Sequence, residues 1–138
     1  MADQESNKKE IKKILIIDDD TDFNEACRNM LEAVDYEVGV ENKHERAYPT
    51  IVEFKPDLIL LDVLMDNKLA GFEIAETMSK DVKFKEVPII LLTGYFMRTG
   101  LRDLQNEMMT KWENIKYVLD KPVKPAVLLE TIKRVSTI

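Results

Sequence analysis

Five side chains with reactive or charged ends follow short apolar runs. Asp18 and Asp19 come after residues 14–17, Asp62 after 58–61, Thr93 after 89–92, and Lys121 shortly after 115–119. Carboxylates gathered within a few ångströms repel one another, and at least one is pushed towards protonation. A hard divalent cation relieves this, and Mg²⁺ commonly takes one or two carboxylates together with phosphate oxygens. A lysine brings a further positive charge and a hydroxyl brings a hydrogen bond. Acids, a cation, an ammonium and a hydroxyl converging on one carboxylate describe a phosphoryl-transfer site. The carboxylate can then serve as nucleophile and carry an aspartyl phosphate.

The runs that precede these residues read as strands. Residues 58–61 (Leu-Ile-Leu-Leu) are apolar without a break after Pro56, as in a parallel strand buried on both faces. Residues 13–17, 87–92 and 115–119 read the same way, with Pro88 tolerable only near a strand start. Residues 36–40 alternate and are short, which suits a strand near an edge. Helical spacing appears between the strands. Phe23, Ala26, Cys27, Met30, Leu31 and Val34 form one stripe opened by Thr21-Asp22, and Asn42 is placed to cap a helix over about 43–54 with Ala47, Ile51, Val52 and Phe54 inward. Pro49 costs that helix an internal bond unless it restarts there. Further stripes are Phe72, Ile74, Ala75 and Met78; Met97, Leu101, Leu104, Met108, Met109 and Trp112; and Val127, Leu128, Ile132 and Val135 after Pro125. The order is β-α five times over, an α/β chain with a parallel sheet covered on both faces. A doubly wound, flavodoxin-like (βα)5 sheet in the order 2-1-3-4-5 follows, and it puts the five polar residues at the carboxyl ends of strands, where ligands bind.

The remaining composition bounds the partners. At 138 residues the chain is one domain with one sizeable core, and its net charge of -6 argues against a general nucleic-acid binder. One cysteine, Cys27, allows no internal disulfide, makes a zinc cluster improbable and fits a reducing cytosol. No apolar run is long enough for a membrane span, and the N-terminus lacks a signal-peptide core. Residues 1–12 are polar and are expected to be a flexible tail, leaving 13–138 as the domain. His44, the only histidine, is expected to be exposed, Asp20 to be solvated or capping, and Cys27 to lie in the core.

Four pieces occur in order: Ile-Leu-Ile-Ile-Asp-Asp at 14–19, Asp-Leu-Ile-Leu-Leu-Asp at 57–62, Pro-Ile-Ile-Leu-Leu-Thr-Gly at 88–94, and Lys121-Pro122. With them the chain resembles, over residues 13–136, the receiver domains of two-component response regulators, of the chemotaxis-regulator kind. The resemblance implies a phosphoacceptor in a phosphorelay rather than an enzyme. Asp62 takes phosphate from a histidine kinase or phosphotransfer protein. Asp19 and Asp62 bind Mg²⁺ directly with the backbone carbonyl of Leu64, and Asp18 acts mainly through a metal-bound water. Thr93 and the amide of Gly94 hold phosphate oxygens, Lys121 pairs with the phosphoryl group, and the Lys121–Pro122 bond is cis. Output then passes to another protein, or to self-association through the face made by the fourth helix, fifth strand and fifth helix, or to the rest of a longer parent chain. The setting is cytoplasmic, without nucleic acid or membrane.

Some positions depart from the family pattern. The loop after Asp62 runs Met65-Asp66-Asn67-Lys68-Leu69-Ala70-Gly71, with an acid in place of the usual Pro. The interval from Thr93 to Lys121 is longer than usual. The switch aromatic position three before the lysine is Val118, and Tyr117 is set to face the other side of the sheet. Tyr95 is placed to shield the phosphoryl group, which with Leu64 implies slow phosphate loss. Two rivals stand beside this reading. A pseudo-receiver would only bind protein. A haloacid-dehalogenase-type phosphatase would use Asp18 and Asp20, but it needs a further acid pair after the lysine, where only Glu130 follows, and it leaves Asp62 unexplained.

Overall fold

Strict alternation of side chains along the strands sorts the core onto two faces of one sheet. The computed structural model describes residues 10–65, 69–94 and 102–136. In chain order these form β1 (Lys13–Ile17), α1 (Thr21–Ala33), β2 (Glu37–Glu41), a 3₁₀ turn (His44–Arg46) and α2 (Ala47–Phe54). They continue through β3 (Leu58–Asp62), α3 (Ala70–Ser79), β4 (Ile89–Thr93), α4 (Arg102–Lys111), β5 (Ile115–Asp120) and α5 (Pro125–Ser136). The five strands lie in the order β2-β1-β3-β4-β5, and every pairing is parallel. This is the predicted doubly wound topology, with β2 at an edge.

Leu15, Ile17, Ile59, Leu61, Ile89 and Leu91 point to one face, where Ala47 and Ile51 of α2 and Ile74, Ala75 and Met78 of α3 cover them. Ile14, Ile16, Leu58, Leu60, Ile90 and Leu92 point to the other, under Cys27 and Leu31 of α1 and Leu128, Ile132 and Val135 of α5. A strand buried on both faces has no polar side to spare, which is why β3 and β4 are apolar until their last residue. Val118 packs on the first face and Tyr117 on the second, as the alternation requires.

Several expectations are corrected. Ile11 is buried in the second core, and the Lys12 N–H donates to Asp57 Oδ2 at 2.9 Å, so the packed unit begins ahead of residue 13. Asn42 caps nothing. The 3₁₀ turn precedes α2 without a side-chain cap, and α2 starts at Ala47. Pro49 therefore falls in the first turn of α2, where its missing N–H has no partner to lose. Val52 and Val127 are exposed rather than inward. In α1 the buried stripe is Asn24, Cys27 and Leu31, while Ala26 and Val34 face solvent. His44 is partly buried, and Trp112 packs just beyond the end of α4. Asp66, Asn67, Lys68, Tyr95, Met97 and Leu101 lie outside the described residues, as do the side chains of Leu104 and Met108. Among the described residues no helix is long and apolar enough to cross a membrane.

Candidate functional site

β1, β3, β4 and β5 release the chain at the same edge of the sheet, and they deliver the predicted residues there, Asp18 and Asp19 both after β1. β1 ends at Ile17, and Asp18 follows with its side chain sealed from solvent. Its backbone is pinned on both sides. The Asp18 N–H donates to the Glu41 carbonyl at 3.1 Å, and the Asp18 carbonyl accepts from Asn24 Nδ2 at 2.7 Å. Asp18 Oδ1 accepts the Asp20 N–H at 2.9 Å. Asp20 is the N-cap of α1, its Oδ1 accepting the Phe23 N–H at 3.1 Å. The turn from β1 into α1 is thus closed by acidic side chains bonded to backbone amides.

β3 delivers Asp62, almost fully buried. Oxygens of Asp18, Asp19 and Asp62 lie within 4.8 Å of one another, with Asp19 exposed and the other two buried. The Lys121 ammonium comes from the end of β5. It donates to Asp18 Oδ2 at 2.6 Å and stands 3.8 Å from Asp62 Oδ2. Beneath it lies the Phe23 ring, 4.7 Å to the centroid, a cation–π contact. Thr93 is buried, and its carbonyl accepts the Lys121 N–H at 2.9 Å. Gly94 follows directly, close enough that a Cβ there would touch Lys121 Cβ at 3.7 Å. The Lys121–Pro122 peptide is cis. Leu64 lies just past Asp62, its N–H 3.4 Å from Asp62 Oδ1.

The electrostatics follow from this packing. Burial, then the nearby Asp18 charge, pushes the Asp62 carboxyl up to about 7, against a smaller downward pull from Lys121. Burial alone would lower the Lys121 ammonium, but its hydrogen bond to Asp18 and the Asp18 and Asp62 charges outweigh that and raise it. Burial also lifts the Cys27 thiol to about 11, as expected of a core cysteine rather than a reactive one. The site is therefore short of positive charge beside Asp62. Three carboxylates offering hard oxygens suit a Mg²⁺ ion better than a softer metal.

The structure brings together all the strand-end residues singled out in the sequence. Three further residues contribute to the site from outside the strand ends. Asn24 shares the i, i+3, i+7 spacing of Cys27 and Leu31, so its place in the buried stripe was readable from spacing alone. Phe23 belongs to the apolar stripe of α1 and also lies under the Lys121 ammonium. Gly71 opens α3 against the end of β3, where a Cβ would lie 2.4 Å from the Asp62 carbonyl oxygen and 2.8 Å from Val63 Cα. Only glycine lets that helix approach the strand so closely.

An open parallel sheet thus gathers an acid, threonine and lysine set at the carboxyl ends of its strands. The sequence matches the response regulator receiver domain over residues 14–133, and the chain belongs to that family. Receiver domains are signalling modules of two-component systems. The chain is 32% identical over 124 residues to the phosphate regulon transcriptional regulatory protein PhoB of Pseudomonas aeruginosa, covering 90% of this chain and 51% of PhoB. It thus spans about half the length of that relative. To the polar-differentiation response regulator DivK of Brucella anthropi it is 25% identical over 122 residues, covering 88% of this chain and 94% of DivK. Among solved structures, the chemotaxis response regulator CheY4 of Vibrio cholerae superposes with a TM-score of 0.77 at 25% identity, over 91% of this chain and 98% of that one. A CheY-like receiver domain protein of Methanospirillum hungatei gives 0.75 at 29% identity, over 92% and 94%.

Proposed function

We propose that residues 13–138, together with Ile11 and Lys12, form a phosphoacceptor switch and that Asp62 is the residue phosphorylated. The observation that carries this reading is the grouping of three carboxylates within 4.8 Å, with one lysine reaching two of them. Asp19, Asp62 and the Leu64 carbonyl would hold Mg²⁺, with Asp18 acting through a water. Bound there, the ion supplies the positive charge that the acids and phosphoryl oxygens lack. An oxygen of ionised Asp62 attacks phosphorus as the bond from phosphorus to the donor histidine nitrogen breaks. The imidazole leaves with that electron pair and is reprotonated. Lys121, Thr93 and the Gly94 amide take the phosphoryl oxygens. In doing so Lys121 exchanges part of its hold on Asp18, which couples the chemistry to the end of β5.

The donor is a histidine kinase or phosphotransfer protein. Output runs through the α4–β5–α5 face to a partner protein, to a second copy or to a larger parent chain, by shifting a pre-existing equilibrium. A buried free thiol at Cys27 accords with a cytoplasmic setting. The net charge of -6 speaks against direct nucleic-acid contact by this domain.

Intact mass after incubation with acetyl phosphate and Mg²⁺ tests the reading. The expected result is a gain of one phosphoryl group, labile to base and absent from Asp62→Ala. No gain in wild type despite measured Mg²⁺ binding would favour a domain that only binds protein. A gain that survives Asp62→Ala would move the acceptor to another aspartate.

A further inference from the structure

At the opposite edge of the sheet from Asp62, a cavity of about 600 Å³ opens between the end of α3, the segment before β4 and the turn from α4 into β5. Its size falls within the range of small-ligand sites. Lys85, Lys111 and Lys116 line it against Glu86 and Glu113, so it is locally cationic in a chain of net charge -6. At its wall lies Asn114, only 4% exposed. The Asn114 main chain is satisfied, its carbonyl accepting the Ile89 N–H at 2.7 Å. Its side chain is not: both Oδ1 and Nδ2 are buried and have no hydrogen-bond partner among the described residues. A buried amide with donor and acceptor both unmet is costly, and folds rarely tolerate one without a reason.

We propose that this cavity is a second binding site, for an adenine nucleotide. The lysines supply point charges for phosphate oxygens. An asparagine amide pairs in bidentate fashion with adenine, whose amino group donates while the adjacent ring nitrogen accepts. That is the donor–acceptor pair Asn114 leaves unmet. Because its polar atoms are buried, the side chain turns towards the cavity on binding and exchanges two unmet bonds for two made ones. None of these residues belongs to the acidic site, so the inference stands apart from the phosphoacceptor reading.

The test is titration of the full chain with ADP in metal-free buffer, where the acidic cluster repels phosphate. Binding is read by calorimetry and by the fluorescence of Trp112, the only tryptophan, which stands between Lys111 and Asn114. Saturable one-to-one binding is expected. Joint substitution Lys85→Glu and Lys116→Glu should weaken it by about tenfold or more. Asn114→Ala should weaken ADP while leaving Tm equal or higher, because two unsatisfied polar atoms are removed. Near-UV circular dichroism reports the fold of each variant, and the wild-type titration stands alone should one not fold. The proposal is overturned by absence of saturable binding at millimolar ADP, or by ADP binding that ignores the lysine changes. Inorganic phosphate competing as tightly as ADP would also overturn it, since the site would then be an anion patch. So would a fall in Tm for Asn114→Ala with ADP affinity unchanged, which would make Asn114 a water-bonded structural group.

Discussion

Asp18 and Asp62 are the same residue type at the ends of neighbouring strands, 0% and 6% exposed, yet they are held in contrasting ways. Asp18 accepts a backbone amide at 2.9 Å and an ammonium at 2.6 Å. Asp62 has an amide at 3.4 Å and the same ammonium at 3.8 Å. Burial of a carboxylate is costly unless close partners compensate it. At Asp18 they do, and the group is a structural ion that fixes Lys121 and the start of α1. At Asp62 they fall short, its carboxyl rises to about 7, and the site is left wanting a cation. Two acids with equal seclusion therefore take separate tasks according to the donors within reach.

The contrast is broken most severely from the Asp18 side. Asp18→Ala leaves the Lys121 ammonium without its main partner and should cost about 3 kcal/mol of stability in urea unfolding. A loss below about 1 kcal/mol would mean that Asp18 is not a structural ion. Next comes Gly71→Ala, whose Cβ would press on the Asp62 carbonyl and on Val63 Cα. It should cost about 2 kcal/mol by overpacking and slow acetyl phosphate labelling as the end of β3 is displaced. Unchanged stability and labelling would show that α3 moves aside freely.

Asp62→Asn should act in the opposite direction. The folded carboxyl titrates near 7 against an ordinary 3.8, so between those values the native state keeps a proton that the unfolded chain has released. Stability conferred by this group is full below the lower value and is lost as pH rises through about 7. Metal-free Asp62→Asn should thus exceed wild type by about 1–2 kcal/mol at pH 8; the full shift at about 1.4 kcal/mol per unit, which already contains the attraction to Lys121, is an upper bound because water and neighbouring groups rearrange around the charged carboxylate. The advantage should shrink at pH 5 and vanish with saturating Mg²⁺. Equal stability of the two proteins at both pH values would end the distinction between the two acids. The smallest effect is Phe23→Leu, which removes the ring beneath Lys121 and should cost about 0.5–1 kcal/mol. A double-mutant cycle with Lys121→Met measures that coupling, and additivity would remove Phe23 from the site.

The sheet order and the strand-end residues were legible because β3 and β4 are buried on both faces and apolar until the residue that leaves the sheet. Helix rotation was less legible. In α1 the expected stripe of Phe23, Ala26, Cys27, Met30, Leu31 and Val34 is buried at Cys27 and Leu31 and half-buried at Phe23 and Met30, but Ala26 and Val34 face solvent and Asn24, bonded to the Asp18 carbonyl, joins the buried side. Apolar spacing is silent about a polar anchor. α2 was misjudged for a related reason: the chain enters it through a 3₁₀ turn, so Asn42 stands too far upstream to cap it and Pro49 becomes harmless. Val52 and Val127 show that one apolar residue on a helix does not mark the core when its neighbours already cover the sheet. The unequal bonding of Asp18 and Asp62 is not readable from the sequence, since it depends on how close to each of them Lys121 comes, 2.6 Å from one and 3.8 Å from the other.

The place of β1 has a kinetic consequence. It is the first strand among the described residues, yet it pairs on one side with β2 and on the other with β3, both made later. During synthesis its open edges wait for partners, and no hairpin can form in the meantime because every pairing in the sheet is parallel and needs a crossover. Assembly therefore depends on long loop closures, which slow folding relative to local contacts. Until β3 emerges, Ile14 to Ile17 are an apolar segment without a sheet. Ribosome-bound chains halted before residue 58 should then be protease-sensitive through this stretch, and those extended beyond β3 protected.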